Sequence, residues 1–387
     1  MKNHKVKILF ISLYTEMGGG EYVLFYLMRY LDRNRFQPVL MCDKRGPLTE
    51  RSETTGVEIA IVPFEVVILK HLIKPAAFLK NVRASLAIKR VIRERNIDII
   101  QCTDVLSLLL LLPSKIGDRI PIVYGVTFFH EWSRSVLFNF LAVLMVNRIT
   151  TISRAHQNDL VKKTIGLKKR CRLIYSGVDT ERFFPRPAEE KRRLRTTLGL
   201  PQEKKIIGFV GRFEPRKGHL TFLSAARQIL QSRNDLVFLI VGGAMTEDII
   251  PQIARYKKRV EKEIGQFSSR ESLIVWGHRD DVPEIMSSLD VYVCPSDDEP
   301  FGLVVLEAFA CGLPVVASRT VGALEVVGES DRVFVAEPET PESFVQKILE
   351  ALKYNAEQAP PSSGSEPVIT WNECARNHEQ LYEELLP

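Results

Sequence analysis

Cysteine pairs and long apolar runs are both missing from this 387-residue sequence, and each absence excludes a class of protein. The six cysteines form no C-x-x-C pair and no dense framework, which argues against a structural zinc site and a disulfide scaffold. No stretch reaches the roughly 18 apolar residues of a membrane span. The G-x-G-x-x-G fingerprint of dinucleotide binding is also missing, which disfavours a dehydrogenase. With 45% hydrophobic and 26% charged residues, the composition predicts a globular, cytoplasmic protein.

Acidic residues are missing from one stretch of the first half. None lies between Glu65 and Glu94, where seven lysines and arginines alternate with apolar side chains. Residues 1–187 carry 30 basic and 16 acidic residues, a balance of +14, whereas the whole chain is only +6. This excess predicts that the first half contacts an anionic surface. The segment Lys70–Arg93 would then lie on the inner face of an anionic membrane as a peripheral contact. A crossover helix with a solvated basic face is the alternative.

What is present is a regular alternation of short apolar strands with longer helical patterns. This pattern is typical of an α/β fold whose parallel sheets are covered by helices on both faces. The proline-rich, charged stretch 187–203 predicts a linker between an N-terminal domain, 1–186, and a C-terminal domain, 204–365. A last helix, 371–387, is expected to pack back on the N-terminal domain. The predicted strands are 7–13, 37–42, 58–63, 97–102, 120–126 and 149–152 in the first domain, and 205–210, 237–242, 273–276, 291–295, 314–317 and 332–335 in the second.

Two carboxylates, Glu299 and Glu307, are separated by seven residues in a segment that reads as strand, loop, helix and strand. Glu307 lies inside an otherwise apolar helix, where folding alone would not place a charge. Removing water from a carboxylate costs several kcal/mol, so buried glutamates are rare unless they are paired. The pattern indicates a role other than folding for Glu307, and the alternative is that it lies on a solvated face or caps a neighbouring backbone amide.

Three further groups of residues suit ligand binding. Gly18–Gly20 follows the first strand and opens the first helix, where glycine lets the backbone approach a ligand and N–H groups face an anion. Arg212 and Lys217 occupy the matching loop of the second domain, where they could clamp phosphate oxygens; a basic surface turn is the alternative. His130 ends a strand at its carboxyl end, where a cleft-facing side chain is expected, although lone histidines are often structural.

Taken together, these residues resemble glycosyltransferase family 4, the retaining, GT-B-fold glycosyltransferases that use nucleotide-diphosphate sugars. The segment around Glu299 and Glu307 carries the resemblance most specifically, and residues 176–185 add a family-like element. The resemblance implies two Rossmann-like, doubly wound domains that face each other across a cleft. Two positions depart from the family's pattern, because Ser176 stands for an asparagine and Val321 for a glycine.

The resemblance also implies roles for individual residues. Arg212 and Lys217 would hold the donor diphosphate, and Gly18–Gly20 would close over it from the other domain. Glu307 would accept hydrogen bonds from the ribose hydroxyls. The remaining assignments are Glu299 and His130 beside the donor sugar and the reacting centre; Phe301, Gly302 and Leu303 as N–H donors to sugar or phosphate; and Trp276, Gly277, His278 and Arg279 around the base.

The implied reaction transfers a sugar from a nucleotide-diphosphate sugar to a lipid-linked or cell-envelope glycan acceptor, with retention at the anomeric carbon. Loss of the diphosphate builds negative charge, which Arg212, Lys217 and helix N-termini would stabilise. The sequence shows no carboxylate-rich cation site, so neither a metal ion nor another cofactor is expected. Front-face attack, in which the leaving phosphate takes the acceptor's proton, is the preferred route, and a covalent intermediate on Glu299 is the alternative.

Two other functions stay open at this point. A sugar-nucleotide epimerase would share the fold and the ligand, but it would need no acceptor and no basic membrane face. A non-enzymatic, membrane-associated protein with a vestigial cleft is the other possibility, against which the complete set of Arg212, Lys217, Glu299 and Glu307 argues. Nucleic acid is not an expected partner.

Overall fold

The computed structural model describes residues 5–64, 75–103, 105–112, 120–126, 143–163, 166–243, 251–267, 271–354 and 368–386. The chain divides into two compact units. The first contains Met1–Ser176 together with Trp371–Pro387, and the second contains Gly177–Thr370. Each unit is built on one parallel sheet, as the alternating pattern of the sequence predicts.

The first unit has a seven-stranded sheet in the order β3-β2-β1-β4-β5-β6-β7. Buried aliphatic residues of β1 and its neighbours fill the core, since these strands are covered on both faces and read as continuous apolar runs. The strands are β1 Val6–Ile11, β2 Phe36–Cys42, β3 Glu58–Ile61, β4 Ile99–Cys102, β5 Ile122–Val126, β6 Arg148–Thr151 and β7 Cys171–Leu173.

The second unit has a six-stranded sheet in the order β10-β9-β8-β11-β12-β13. Each of its six predicted strands is present within about one residue of its predicted bounds. The strands are β8 Lys205–Val210, β9 Leu236–Val241, β10 Leu273–Trp276, β11 Val291–Cys294, β12 Val315–Ser318 and β13 Val333–Ala336.

Helices connect the strands in both units. In the described residues none is long and apolar enough to span a membrane. The helices are α1 Gly19–Tyr30, α2 Pro47–Thr54, α3 Pro75–Glu94, α4 Val105–Leu111, α5 Arg154–Lys163, α6 Ala188–Leu198, α7 His219–Leu230, α8 Pro251–Ile264, α9 Val282–Ser288, α10 Leu303–Ala310, α11 Leu324–Val327, α12 Pro341–Ala351 and α13 Trp371–Glu383.

The boundary between the units differs from the predicted domain boundary. It lies between Ser176 and Gly177 rather than after residue 186. The physical reason is that Val178 already belongs to the second unit, where its N–H donates to the carbonyl of Ile369 at 2.9 Å. Helix α13 groups with the first unit: the Trp371 ring stacks on Tyr26 at 5.0 Å between centroids, and the Glu379 carboxylate accepts a hydrogen bond from the N–H of Asp32 at 2.7 Å.

The stretch 187–203, predicted as a linker, contains helix α6, which is fastened to the second unit. Arg195 of this helix is only 6% exposed. Its guanidinium donates to the carbonyl of Ser288 at 2.9 Å and pairs with the Asp290 carboxylate at 2.5 Å. Burial opposes ionisation of Asp290, but the charges of Lys191 and Arg195 outweigh it and lower the pKa of this carboxyl. The charged residues that suggested a solvated linker therefore include Arg195, which forms a buried ion pair with Asp290.

Replacing Arg195 by alanine is expected to lower the free energy of unfolding by about 3 kcal/mol, because one partner of a buried ion pair is removed. Arg193→Ala is the matched control, since Arg193 lies on the same helix in an exposed i,i+4 pair with Glu189. Such a pair contributes less than about 0.5 kcal/mol. Urea denaturation measures both variants, and equal losses would contradict the role given to Arg195.

Candidate functional site

The candidate site in the second unit lies at the point where the strand order reverses. From β8 the chain proceeds to β9 and β10 on one side, and β11 to β13 lie on the other side. The loops that leave the carboxyl ends of the adjacent strands β8 and β11 therefore diverge, and such a switch point is where open α/β sheets bind ligands. The β8 loop contains Arg212 and Lys217, and the β11 loop contains Glu299.

A glycine allows these two loops to touch. Gly218 has φ +74°, and a Cβ built on it would lie 2.0 Å from the carbonyl oxygen of Pro295. Both the left-handed conformation and the missing side chain are needed here. Just beyond the contact, the N–H of Asp297 donates to the carbonyl of Arg216 at 3.0 Å. The short 3₁₀ turn Pro215–Lys217 is thereby held against the start of the Glu299 loop.

Glu299 is 11% exposed and lies between two cations. Lys217 Nζ bonds to its Oε2 atom, and Arg216 Nη1 is 3.8 Å from its Oε1 atom. Burial opposes ionisation of this carboxyl, but the positive charges of Lys217 and Arg216 outweigh it and lower its pKa below the ordinary value. Glu299 is therefore held as a carboxylate at neutral pH.

The ion pairs continue along the β8 loop. Arg212 Nη2 is 2.8 Å from Glu214 Oε1, and Arg216 Nε is 3.0 Å from Glu214 Oε2. Five side chains thus form a row of alternating sign, which we call the ion array: Arg212, Glu214, Arg216, Glu299 and Lys217. Its two ends are the two cations that the sequence assigned to a diphosphate.

Sequence reasoning missed Glu214 and Arg216. The available signal was the alternation of sign in Arg212-Phe-Glu214-Pro-Arg216-Lys217, because residues two apart in extended backbone point the same way. It also missed His219, which follows Gly218. Its ring is fully buried edge-on to Phe209 and Phe213, at 4.6 and 4.7 Å between centroids. Burial, with the nearby Lys217 charge, lowers the pKa of His219 to about 3, so a neutral ring packs behind the loop.

The stretch Phe301-Gly302-Leu303 forms the turn into helix α10. Gly302 has φ +92°, and a Cβ there would lie 2.9 Å from a methyl group of Val321. The carbonyl groups of Glu299 and Phe301 accept hydrogen bonds from the N–H groups of Gly322 and Ala323, at 3.0 and 2.6 Å. The β11 loop is thus fixed on its far side as well, and the first N–H groups of α10 begin at this turn.

Glu307 lies on α10 and is partly exposed. Burial raises the pKa of its carboxyl to about 7; the Arg182 charge lowers it less, and Asp179 adds to the increase. Within the described residues, no ion pair with Glu307 forms within 4 Å. This is not the fully solvated glutamate of the alternative explanation. Among the described residues, the Arg182 charge offsets only part of the energetic cost of ionising this carboxyl.

The loop after β10 contains the residues expected around a base. Gly277 and His278 are exposed, and the guanidinium of Arg279 lies 5.0 Å from the centroid of the Trp276 ring. The carbonyl groups of Trp276 and Gly277 share the N–H of Gly242, at 3.2 and 3.1 Å. Gly242 in turn lies against Gly211, because a Cβ built on Gly242 would be 2.1 Å from the carbonyl oxygen of Gly211. The loops after β8, β9 and β10 therefore meet at one edge of the sheet, next to the ion array.

The other predicted site residues belong to the first unit or lie outside the described residues. Gly18 is the N-cap of α1, and its N–H donates to the Glu21 carboxylate at 3.1 Å. The Gly18–Gly20 turn also follows a strand at a switch point, since β1 lies between β2 and β4. His130 lies outside the described residues. Among those described, no group of three His, Cys, Asp or Glu residues is placed to hold a metal ion.

Comparison with solved structures identifies the class of protein to which this fold belongs. HepE of Anabaena, in complex with UDP and glucose, matches with a TM-score of 0.82 and 20% identity over 98% of this chain and 99% of that one. Sucrose-phosphate synthase from Thermosynechococcus elongatus matches with a TM-score of 0.75 and 19% identity over 98% and 99%. The two parallel-sheet units are those of the GT-B glycosyltransferases, as expected.

Sequence comparison gives the family. The model for glycosyl transferases group 1 matches residues 190–362, and the model for Glycosyltransferase Family 4 matches residues 17–182. An Escherichia coli relative, UDP-Gal:alpha-D-GlcNAc-diphosphoundecaprenol alpha-1,3-galactosyltransferase, is 25% identical over 89% of this chain and 87% of its own length. The D-inositol 3-phosphate glycosyltransferase of Corynebacterium urealyticum is 29% identical over 56% and 52%. The chain belongs to glycosyltransferase family 4 and is a glycosyltransferase that uses nucleotide sugars.

The contact at Gly218 generates a prediction about stability. Gly218→Ala is expected to lower the free energy of unfolding by about 3 kcal/mol or more, because the new methyl group clashes with backbone in addition to the strain of a positive φ. Gly199→Ala is the matched control, since Gly199 has φ +68° and open space around a Cβ. It should lose about 1 kcal/mol. Similar losses in the two variants, measured by urea denaturation, would show that the loops do not need this close approach.

Proposed function

We propose that this protein is a retaining glycosyltransferase that transfers a sugar from a nucleotide-diphosphate sugar to a lipid-linked or cell-envelope glycan acceptor at a membrane surface. The observation that carries the donor site is the ion array at the β8–β11 switch point, together with the Glu307 carboxyl on the adjoining helix α10, whose pKa is raised by burial. Two cations at the ends of the array suit a diphosphate, and a carboxylate suits the hydroxyl groups of a ribose.

The roles of the individual groups follow from their chemistry. Arg212 and Lys217 hold the diphosphate and stabilise the charge that develops as the leaving group departs. Phe301, Gly302 and Leu303 offer N–H groups at the start of α10, where the helix dipole favours negative charge. Residues 276–279 adjoin the base. Gly18–Gly20 and His130 act on the diphosphate and on the sugar, respectively.

Front-face attack is the route that the state of Glu299 favours. A covalent route requires the carboxylate oxygens of Glu299 to attack carbon, but these oxygens are already paired with Lys217 and Arg216, which lowers their nucleophilicity. The leaving phosphate then takes the proton of the acceptor hydroxyl. No metal ion is part of this proposal.

Two observations support a lipid-linked acceptor at a membrane. The exposed face of helix α3 carries Lys80, Arg83, Arg90 and Arg93 around Leu86, which is 59% exposed. Basic side chains around an apolar one suit the interface of an anionic bilayer. The Escherichia coli relative is named for an undecaprenol-linked acceptor, which is a membrane lipid. Lys70 and Lys74, which the sequence assigned to the same segment, lie outside the described residues.

A donor screen tests the enzymatic proposal. Calorimetric titration with UDP-, GDP- and ADP-sugars, with and without EDTA, should identify one nucleotide that binds, with no loss of affinity in EDTA. NMR of the product formed with a lipid-linked acceptor should show the anomeric configuration of the donor. Inversion would contradict the retaining mechanism. Isomerised donor in the absence of acceptor would indicate an epimerase instead, and failure to bind any nucleotide sugar would contradict the proposal.

The pKa of Glu307 generates a second prediction. Folding raises this pKa to about 7, so the ionised carboxyl destabilises the fold. The free energy of unfolding of the wild-type protein therefore falls as pH rises from about 4.5 to 7. Glu307→Gln should therefore gain about 1–3 kcal/mol relative to wild type between pH 4.5 and pH 8. The same variant should bind the donor nucleotide about tenfold more weakly at pH 8, because the amide donates where the ribose also donates.

The control for this variant is Glu203→Gln, which changes an exposed glutamate of the second unit. It should alter neither the pH dependence of urea unfolding nor the affinity for the nucleotide. A stability difference between Glu307→Gln and wild type that is the same at pH 4.5 and pH 8 would contradict the energetic cost assigned to Glu307. Unchanged affinity would remove its role at the ribose.

Membrane binding is tested by flotation with vesicles of phosphatidylcholine containing phosphatidylglycerol. Wild type should float at low salt and be released at high salt, because exposed charges are screened. The double variant Arg83→Glu with Arg90→Glu should not float. Arg192→Glu with Arg193→Glu is the matched control on exposed positions of helix α6 and should float like wild type. Loss of flotation in both variants alike would indicate that net charge, rather than helix α3, determines membrane binding. No binding by the wild-type protein would contradict the membrane contact.

A further inference from the structure

Arg216 is placed between two carboxylates, although neither the sequence pattern nor the proposed function gives it a task toward the donor. Its Nε atom is 3.0 Å from Glu214 Oε2, and its Nη1 atom is 3.8 Å from Glu299 Oε1. The same Nη1 atom donates to the carbonyl of Asp298 at 3.3 Å. Three groups on two loops therefore share one guanidinium, whose side chain is 28% exposed.

Each carboxylate of the ion array is thus held by two cations, one from an end and one from the middle. Glu214 is held by Arg212 and Arg216, and Glu299 is held by Lys217 and Arg216. The backbone keeps this order, because the N–H of Glu214 donates to the carbonyl of Arg212 at 2.7 Å and the N–H of Lys217 to that of Glu214 at 3.0 Å. Three cations face two carboxylates, so the array has a net charge of +1.

This order matters when an anion arrives. A diphosphate that binds Arg212 and Lys217 competes with Glu214 and Glu299 for their charge, which weakens both ion pairs. The two carboxylates are largely buried, with side chains 16% and 11% exposed, so leaving either of them without a counter-ion would be costly. Arg216 remains in contact with both, which removes most of that cost.

We propose that Arg216 is a positioning residue that keeps Glu214 and Glu299 compensated while Arg212 and Lys217 are transferred to the donor diphosphate. The inference rests on the proposed function, because it assigns the diphosphate to the ends of the array. Without Arg216, each carboxylate would retain its end cation, and the array would be neutral. A planar guanidinium suits the position because its separate N–H groups reach Glu214, Glu299 and the Asp298 carbonyl together, whereas an ammonium group is a single point of charge.

The test measures the affinity of whichever of UDP, GDP and ADP the wild-type protein binds. Arg216→Gln should bind this nucleotide about tenfold or more weakly, and Arg216→Lys should restore part of the affinity. The decisive variant is Glu214→Gln combined with Arg216→Gln. It returns the array to a net charge of +1, with two cations and one carboxylate, and releases Arg212, although Glu299 still depends on Lys217 alone. Its affinity should therefore recover part of the loss and exceed that of Arg216→Gln by about threefold or more.

A merely structural role for Arg216 predicts the opposite, because removing a second partner from a packed network should not repair the first loss. Arg233→Gln is the matched control. Arg233 forms an exposed ion pair with Asp235, which is two residues away as Glu214 is from Arg216, and the pair lies before the amino end of β9. Its loss should leave nucleotide binding unchanged. Wild-type affinity in Arg216→Gln, or a double variant as weak as Arg216→Gln, would overturn the inference. Wild-type protein that binds none of the three nucleotides would overturn the proposed function, and this inference with it.

Discussion

The contact between the Arg212–Gly218 turn and the Pro295 carbonyl is the constraint on which the candidate site of the second unit depends. Parallel strands β8 and β11 bring their carboxyl ends to one edge, but only a residue without a Cβ lets the two loops meet there. The meeting places Arg216 and Lys217 against Glu299, and their positive charges lower the pKa of this carboxyl. Backbone geometry therefore determines the electrostatics of the site.

The two glutamates that first marked this segment are stabilised in different ways. The charge of Glu299 is compensated by cations, so folding and the proposed function both require an ionised carboxylate at this position. Glu307 has no such partner in the described residues, and burial raises its pKa to about 7. A carboxyl that destabilises the fold when ionised is retained for a reason other than folding, and a sugar hydroxyl that donates hydrogen bonds supplies one. The free-energy cost of ionising Glu307 is therefore a stronger indication of a ligand than the compensated charge of Glu299.

Much of the fold could be predicted from the sequence, because buried parallel strands are continuous apolar runs. Strand β7 was missed because Cys171–Leu173 is short and follows three basic residues. The stretch predicted as a linker contains helix α6, because charge alone does not distinguish a solvated segment from a helix whose Arg195 is paired with Asp290. At the site, Arg212, Lys217 and the two glutamates were predicted from residue type and position. Their pairing was not, since it depends on distances between loops some 80 residues apart.

The ion pairs of Arg212 and Lys217 affect the free energy with which an anion binds at this site. Arg212 and Lys217 are not free cations awaiting a phosphate, because Glu214 and Glu299 already occupy them. An anion that bound these two cations would compete with the carboxylates, so its gain in free energy would be the difference between two sets of ion pairs. Under the proposed function, the two linked phosphates of the donor would compete with both carboxylates, whereas a single phosphate group would compete with one and leave the other ion pair as it was.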